Sequence, residues 1–296
     1  MRPPRSFSFW LGVGVLAVLV LAAVFAPVLA PYGPSEAGPL NAPPSFQHPL
    51  GTTGQGFDVL SQFVYGARTS FLVSFSVAGL TTLLGIVVGL VSAYAGGWVD
   101  DVLSLLTNVF LAIPGVPLMV VLAAFLPPGE LTIILVLTFT GWSFGARLFR
   151  SQALSLRERE FIAASRLARE ARWRIIVVEL LPNMLSITVA YLINQVIYAI
   201  TAEAGLEFLG LGHSSKVTWG TMLNWAQNDS ALLQGYWWTF VVPGLGIALT
   251  ASALALINHS VDEKADPRLR AAPMLRRAFG LRTRSASLIT PVVSHD

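Results

Sequence analysis

Polar and apolar positions segregate along this chain in blocks far longer than a helical turn. Six stretches contain no Asp, Glu, Lys or Arg: roughly 8–30, 69–95, 102–126, 131–146, 183–202 and 237–258. A helix needs ~20 apolar residues to cross a hydrocarbon core about 30 Å thick. Five stretches reach that length, and the fourth does so if Arg147 and Arg150 stretch their stems toward the membrane surface. Backbone in lipid must satisfy its own hydrogen bonds. The pattern therefore predicts an all-α polytopic membrane protein with six transmembrane helices. The first stretch follows a basic start, Arg2 and Arg5, as a secretory signal would. Its apolar run is longer than the ~7–15 residues of a signal core, which predicts a retained anchor.

Between the fourth and fifth stretches the pattern changes to a helical one. Phe161, Ala164, Ala168, Ala171 and Ile175 recur at steps of three and four, a single apolar stripe. Arginines fill much of the remaining surface, Glu158 and Glu160 suit a first turn, and Pro182 suits the start of the next span. The segment reads as an amphipathic helix leading directly into the fifth span. Its arginines could serve as topology anchors, as a lipid-facing surface, or as the border of a docking face. Ala163, Ala164, Ser165, Ala168 and Ala171 are small enough for close approach by a protein partner.

Composition agrees with lipid as the solvent. The 296 residues are 54% hydrophobic and only 12% charged, against about a quarter charged in soluble domains. The absence of cysteine excludes disulfides, thiolate metal sites and cysteine nucleophiles. His48, His213, His259 and His295 show no helical pairing of the kind a metal site uses, so no metal is expected. With the N-terminus placed inside, 17 of the 19 lysines and arginines fall on inside segments, leaving Arg68 and Lys216 outside. That asymmetry predicts both termini and the charged loop on the cytoplasmic face. The chain then divides into an N-terminal anchor and outside segment (1–68), a five-helix core (69–262) and a basic cytoplasmic tail (263–296). The core includes a cytoplasmic loop at 155–181 and an outer loop at 203–236.

The cytoplasmic loop between helices 4 and 5 resembles the coupling loop of permease subunits of bacterial ABC importers, in the dipeptide/oligopeptide/nickel branch. Further matches are "HPLGTTGQGFDVLSQFVYGART" (48–69), "YAGGWVD" (94–100), "SLREREF" (155–161) and "EAGLEFLGLG" (203–212). Thr218-Trp219-Gly220 and Asp266-Pro267-Arg268-Leu269-Arg270 complete them, and the resemblance covers about 5–270. It implies that the loop docks into a groove on an ATP-hydrolysing subunit. Glu160, Ala164, Leu181 and Pro182 match the motif, and Ala163, Ser165, Arg166 and Arg169 complete the expected coupling surface. Ser165 stands where a second alanine is usual. Arg169 stands where the family has glycine, so either the helix runs on or Arg169 bears a left-handed conformation.

The resemblance also implies partners: a second homologous permease, two ATP-binding subunits that carry ATP and Mg, an extracytoplasmic substrate-binding protein, and membrane lipid. No nucleic acid is expected. The chain has no P-loop, since its lysines, Lys216 and Lys264, follow Ser215 and Glu263. The expected cargo is a peptide, with oligosaccharides or nickel complexes as alternatives. Gly141-Trp142-Ser143-Phe144-Gly145 fits either small-residue helix packing or the nucleophile elbow of an intramembrane serine hydrolase paired with His259. Candidate path or outer-gate residues are Pro114, Pro117, Glu203, Glu207 and Phe208. Pro114 and Pro117 interrupt the third span, as Pro243-Gly244 does the sixth, either as kinks or as path lining. Glu203 and Glu207 read equally as solvated interfacial carboxylates. Trp10, Trp98, Trp237 and Trp238 read as anchors at the membrane surface, and 31–56 as irregular.

Overall fold

The computed structural model describes residues 7–212 and 216–265. Arg2, Arg5, His213, the 266–270 match and the basic tail from 266 onward lie outside the described residues. In chain order the helices are α1 (Phe7–Val24), α2 (Ala26–Leu29), α3 (Val59–Ala95), α4 (Gly97–Ala112), α5 (Gly115–Phe125) and α6 (Glu130–Arg157). They continue as α7 (Glu160–Leu167), α8 (Arg172–Arg174), a π turn (Ile175–Leu180), α9 (Leu181–Asn183), α10 (Leu185–Phe208), α11 (Trp219–Asn228) and α12 (Trp238–Ala265). No strand forms among the described residues beyond two isolated bridges, Ala37 to Phe57 and Thr52 to Asp58.

Five helices, α1, α3, α6, α10 and α12, are long and apolar enough to cross a membrane. The expected third span is instead a pair, α4 and α5, bent by 88°. The residue before a proline is driven out of helical geometry. Ile113, ahead of Pro114, is extended at φ −77° and ψ 130°, and α4 ends there. Both halves nevertheless contact α6. Phe110 stacks edge-on against Phe139 and Trp142, while Met119 and Ala123 of α5 pack with Ile133, Val136 and Leu137 near the start of α6. The broken pair therefore passes from one end of α6 to the other.

α3 is 37 residues long and starts at Val59, inside the segment expected to be an outer linker. The division at 68/69 thus falls within a helix. Asp58 caps α3 by accepting a 2.8 Å bond from the Ser61 amide, and His48 bonds the same carboxylate at 3.0 Å. The 31–56 stretch is irregular, as its prolines and glycines require, but it is packed: Thr52 is fully buried and accepts Trp238 Nε1 on its carbonyl at 3.0 Å. Trp238 is accordingly a core residue. Trp10, Trp98 and Trp237 remain exposed, as surface anchors would be.

α3 and α6 lie in close apposition because glycines face one another. A Cβ on Gly85 would sit 3.1 Å from the Gly145 backbone. One on Gly89 would sit 2.7 Å from the Ala146 carbonyl and 2.8 Å from the Arg150 amide. Just beyond this contact the chain turns sharply through Gly96 and Gly97, both at positive φ, and α4 begins. Asp100 on α4 then takes both Nε and Nη2 of Arg150 at 2.7 Å, together with the hydroxyls of Ser92 and Ser104. Such bidentate pairs fix orientation as well as charge.

Backbone atoms cannot yield at the Gly89 contact. The variant Gly89→Ala is expected to lose about 1–3 kcal/mol, the usual scale of overpacking. Gly14→Ala, whose Cβ would meet open space, should match or slightly exceed the parent. Thermal unfolding of the full chain in detergent distinguishes them; equal midpoints would show that the seam has slack.

Candidate functional site

α7 is an eight-residue helix seated on the bundle through one buried side chain and one surface arginine. Ile162 is fully buried among Leu90, Phe149, Ile175 and Leu180. Arg166 adds a second contact, its guanidinium 5.7 Å from the centre of the Tyr94 ring. The opposite face is open: Glu160, Ala163, Ala164 and Ala168 are exposed and Leu167 is 85% exposed, while Ser165 is half-buried and Arg166, one turn from Ile162 on its own side, is exposed beside Tyr94. Phe161 is at the edge of this face at 38%. The small-residue face expected from the sequence is therefore presented outward.

The single stripe through Ile175 is not one helix. α7 stops at Leu167, and Arg169 adopts φ 58°. The Arg169 amide bonds the Arg166 carbonyl at 3.0 Å, and the Glu170 amide bonds the Ser165 carbonyl at 3.1 Å. These two bonds form a Schellman motif with Arg169 at the left-handed position. Glycine occupies that position at no steric cost, whereas a Cβ there costs about 1–2 kcal/mol. Of the two expectations for Arg169, the left-handed conformation is the one observed. The chain turns away from α7 and resumes helix at Arg172, so α7 is a separate element from the helix that follows, although Ile162 packs with Ile175 and Leu180 of that helix.

That following helix carries an irregularity matched to Pro182. Proline has no N–H, and its ring clashes with the carbonyl four residues back. The turn ahead of it widens into a π turn over Ile175–Leu180, where the Leu181 amide bonds the Ile176 carbonyl. Leu181 is half-buried and Pro182 exposed, both at the base of the span α10.

A second feature lies at mid-depth. A groove of about 720 Å³ runs between the α4–α5 break, α6 and α10. Its walls include Ile113 and Gly115 at the break, Thr140, Ser143 and Phe144 of α6, and Tyr191, Asn194, Gln195 and Tyr198 of α10. No charged side chain is among the described residues that line it. Gln195 Nε2 donates to the Tyr191 hydroxyl at 2.7 Å. A Cβ on Gly145 would come within 2.5 Å of that hydroxyl, so the glycine makes room for it. Gly141-Trp142-Ser143-Phe144-Gly145 lies in the interior of α6, not at a strand-to-helix turn, so it is a packing motif rather than a nucleophile elbow. The polar stripe at 191, 194, 195 and 198 escaped the sequence reading. Its signal was there: polar groups at helical spacing inside an apolar span.

The other candidate path residues sit elsewhere. Pro114 and Pro117 create the break but do not line the groove, and Pro243 lies inside the continuous helix α12. Glu203 and Glu207 belong to α10, are 1% and 3% exposed, and are not solvated. Glu203 accepts Ser74 Oγ at 3.2 Å. Glu207 accepts the hydroxyl of Thr218, the residue that caps α11. A Cβ on Gly220 would come 2.5 Å from Glu207 Oε2, so glycine is what admits the carboxylate. Trp219, fully buried, stacks on Phe63 and donates Nε1 to its carbonyl at 3.0 Å. Phe208 meets Phe240 edge-on. Lys216 reaches Glu130 at 3.2 Å, placing the start of α6 and the loop before α11 at one end of the bundle.

Comparison with known proteins adds ancestry to this geometry. Residues 85–271 match the family described as binding-protein-dependent transport system inner membrane component. Residues 6–44 match the N-terminal TM domain of oligopeptide transport permease C. Over 260 residues the chain is 34% identical to a Brucella suis protein named as a peptide permease, covering 87% of this chain and 86% of the relative. It is 34% identical over 262 residues to the Bacillus subtilis dipeptide transport system permease protein DppC, covering 88% and 81%. The Bacillus subtilis oligopeptide transport system permease protein OppC is 31% identical over 262 residues, covering 88% and 85%.

The strain at Arg169 is open to a direct measurement. Arg169→Gly should stabilise the local turn by about 1 kcal/mol and slow amide exchange at Arg169 and Glu170 by roughly fivefold. Arg169→Val, β-branched at positive φ, should do the reverse. Unchanged exchange in the glycine variant would mean that the left-handed conformation carries no strain.

Proposed function

The chain belongs to the binding-protein-dependent transport inner-membrane component family, and we propose from that premise that it forms one half of the translocation path of an ATP-driven peptide importer in a bacterial inner membrane. The observation that carries the reading is the outward-facing α7. A short helix with a small apolar face turned outward, fixed by Ile162 and set off from the next helix by the left-handed turn at Arg169, would suit a docking partner. Charge asymmetry supports placing this end, and both termini, in the cytoplasm. There α7 would enter a groove on one of two ATP-binding subunits, which hold ATP and Mg, with Glu160, Ala163, Ala164, Ser165 and Arg166 at the contact. Leu181 and Pro182 would pass its movement into α10.

A second homologous permease would close the open side of the neutral groove, and a substrate-binding protein would deliver cargo at the opposite end. The names of the relatives favour peptides over oligosaccharides or nickel complexes. A groove without formal charge suits a peptide backbone, which offers amide donors and acceptors to Asn194, Gln195 and Tyr198. Glu203, Glu207 and Phe208 would serve the outer gate as fastenings of α10 to α3 and α11, not as lining. Closure of the ATP-binding pair would then rock the helices as rigid bodies and open the path alternately to the two sides.

In the assembled transporter, Ala164→Trp should lower peptide uptake at least tenfold and release ATP hydrolysis from stimulation by the loaded binding protein. Val91→Trp, at an exposed position on α3, serves as the control for added bulk. Normal uptake and stimulated hydrolysis in Ala164→Trp would overturn docking at α7, provided the ATP-binding subunits still co-purify at full yield.

A further inference from the structure

Beside the Asp100–Arg150 pair lies a second, smaller cavity of about 140 Å³, between α3, α4 and α6. Ser92, Ser104, Thr107, Asn108, Arg147 and Arg150 line it. Most of these groups are already committed. Arg150 is matched by Asp100, both serines donate to the same carboxylate, and Thr107 bonds the Leu103 carbonyl at 2.7 Å. Arg147 differs. It is exposed, and its one hydrogen bond among the described residues is from Nη2 to the neutral Asn108 Oδ1 at 2.8 Å. No ion pair is formed by it among the described residues. A guanidinium has five N–H donors, so most of its hydrogen-bonding capacity and its whole charge remain available.

Depth identifies what meets it. Arg147 is roughly 25 Å along α6 from Glu130, close to one hydrocarbon thickness. It is the first charge after the apolar run 131–146. This is the level at which the phosphates of a phospholipid leaflet begin. A second charge sets the polarity of the site. Asp101 is exposed and follows Asp100 on α4. It stands at i and i+7 with Asn108, hence on the same face and about 10 Å nearer the start of α4. That start is the corner after α3, the surface end of the crevice. Asp101 does not line the cavity itself but lies beyond its surface end, so from the interior outward come the cation Arg147 and then, past the rim, an anion. A zwitterionic headgroup presents the reverse, phosphate first and ammonium farther out.

We propose that the α3–α4–α6 crevice binds a phosphoethanolamine headgroup, with the lipid phosphate on Arg147 and its ammonium toward Asp101. A basic pocket between membrane helices at headgroup level is a recurring way of holding lipid phosphate. Here the phosphate supplies the counter-charge that Arg147 lacks, while Asp101 disfavours headgroups without an amine. The occupied crevice would brace the α3–α4 corner next to Arg150. The site needs a membrane surface at this level and is independent of what the protein transports, so lipid retention and peptide uptake are separate readouts.

The test uses the full chain in nanodiscs of equal phosphatidylethanolamine and phosphatidylglycerol, followed by native mass spectrometry after mild detergent release. The parent should retain phosphatidylethanolamine preferentially. Arg147→Gln should reduce total retained lipid about fivefold. Asp101→Asn should keep lipid but erase the headgroup preference. Arg159→Gln, which removes an equal charge outside the crevice, should behave as the parent. Equal retention in Arg147→Gln would overturn the site, and an unchanged preference in Asp101→Asn would overturn the assigned headgroup. Displacement of the lipid by millimolar inorganic phosphate would likewise overturn it, by showing a site for soluble anions.

Discussion

The contact between α3 and α6 is the constraint on which the remaining arrangement rests. Two long helices approach to backbone distance because Gly85 and Gly89 face Gly145 and Ala146. In lipid, helices gain nothing from burying apolar surface against one another, so close packing of this kind is what holds them. The consequences run in both directions along the pair. Toward one end the shared contact fixes where Gly96 and Gly97 turn the chain, and hence where Asp100 meets Arg150. Along the middle it sets the position of Gly145, and with it the space for the Tyr191 hydroxyl in the groove wall. A displacement of α6 against α3 would therefore be felt at the groove and at the loop together.

The two ends of the bundle are fastened in different ways. At the Lys216–Glu130 end the connecting segments are tied by buried polar contacts: His48 to Asp58, Trp238 to Thr52, Ser74 to Glu203, Thr218 to Glu207. Each depends on donor–acceptor geometry, and a buried polar group that loses its partner is costly. At the other end α7 is held by the apolar contact of Ile162 and by one arginine against a ring. Apolar contacts are non-directional and tolerate small rotations better than hydrogen bonds do. This difference would suit the proposed role of α7, following a moving partner at one end while the other end keeps its shape.

Much of this was legible in the sequence, for a physical reason. A charge-free run long enough for a bilayer is a strong constraint, and the five unbroken spanning helices appear where such runs occur. Arg169 was legible because a residue in place of glycine poses a choice between two backbone conformations, and the structure shows which was taken. What escaped is what hydropathy treats as uniform. Within an apolar span nothing distinguishes groove-facing from lipid-facing positions except sparse polar groups such as Asn194 and Gln195. Glu203 and Glu207 looked solvated because their partners, Ser74 and Thr218, lie on other elements and only the fold brings them together. Trp238 was misread for the same reason, its acceptor being the distant Thr52 carbonyl. The apolar stripe across 161–175 gave the right type of element but the wrong extent. Periodicity alone does not reveal a reversal made by a single left-handed residue.

The break at Pro114 shows how one local rule serves two ends. A straight helix from Gly97 to Phe125 would be about 40 Å long and would leave no irregular backbone beside α6. Pro114 forces Ile113 into extended geometry, and Pro117 falls in the first turn of α5, where its missing N–H leaves no bond broken. The bend turns α5 while α4 stays bound to α6 through Asp100 and Arg150. Ile113 and Gly115 are left at the edge of the groove, opposite the polar stripe of α10. The prolines thus shape the groove without touching it. Backbone irregularity at membrane depth is tolerated where it borders a polar cavity, because freed carbonyls can find partners there. The irregular backbone of the bend, at Ile113 and Gly115, thus borders the same groove as the polar side chains of α10.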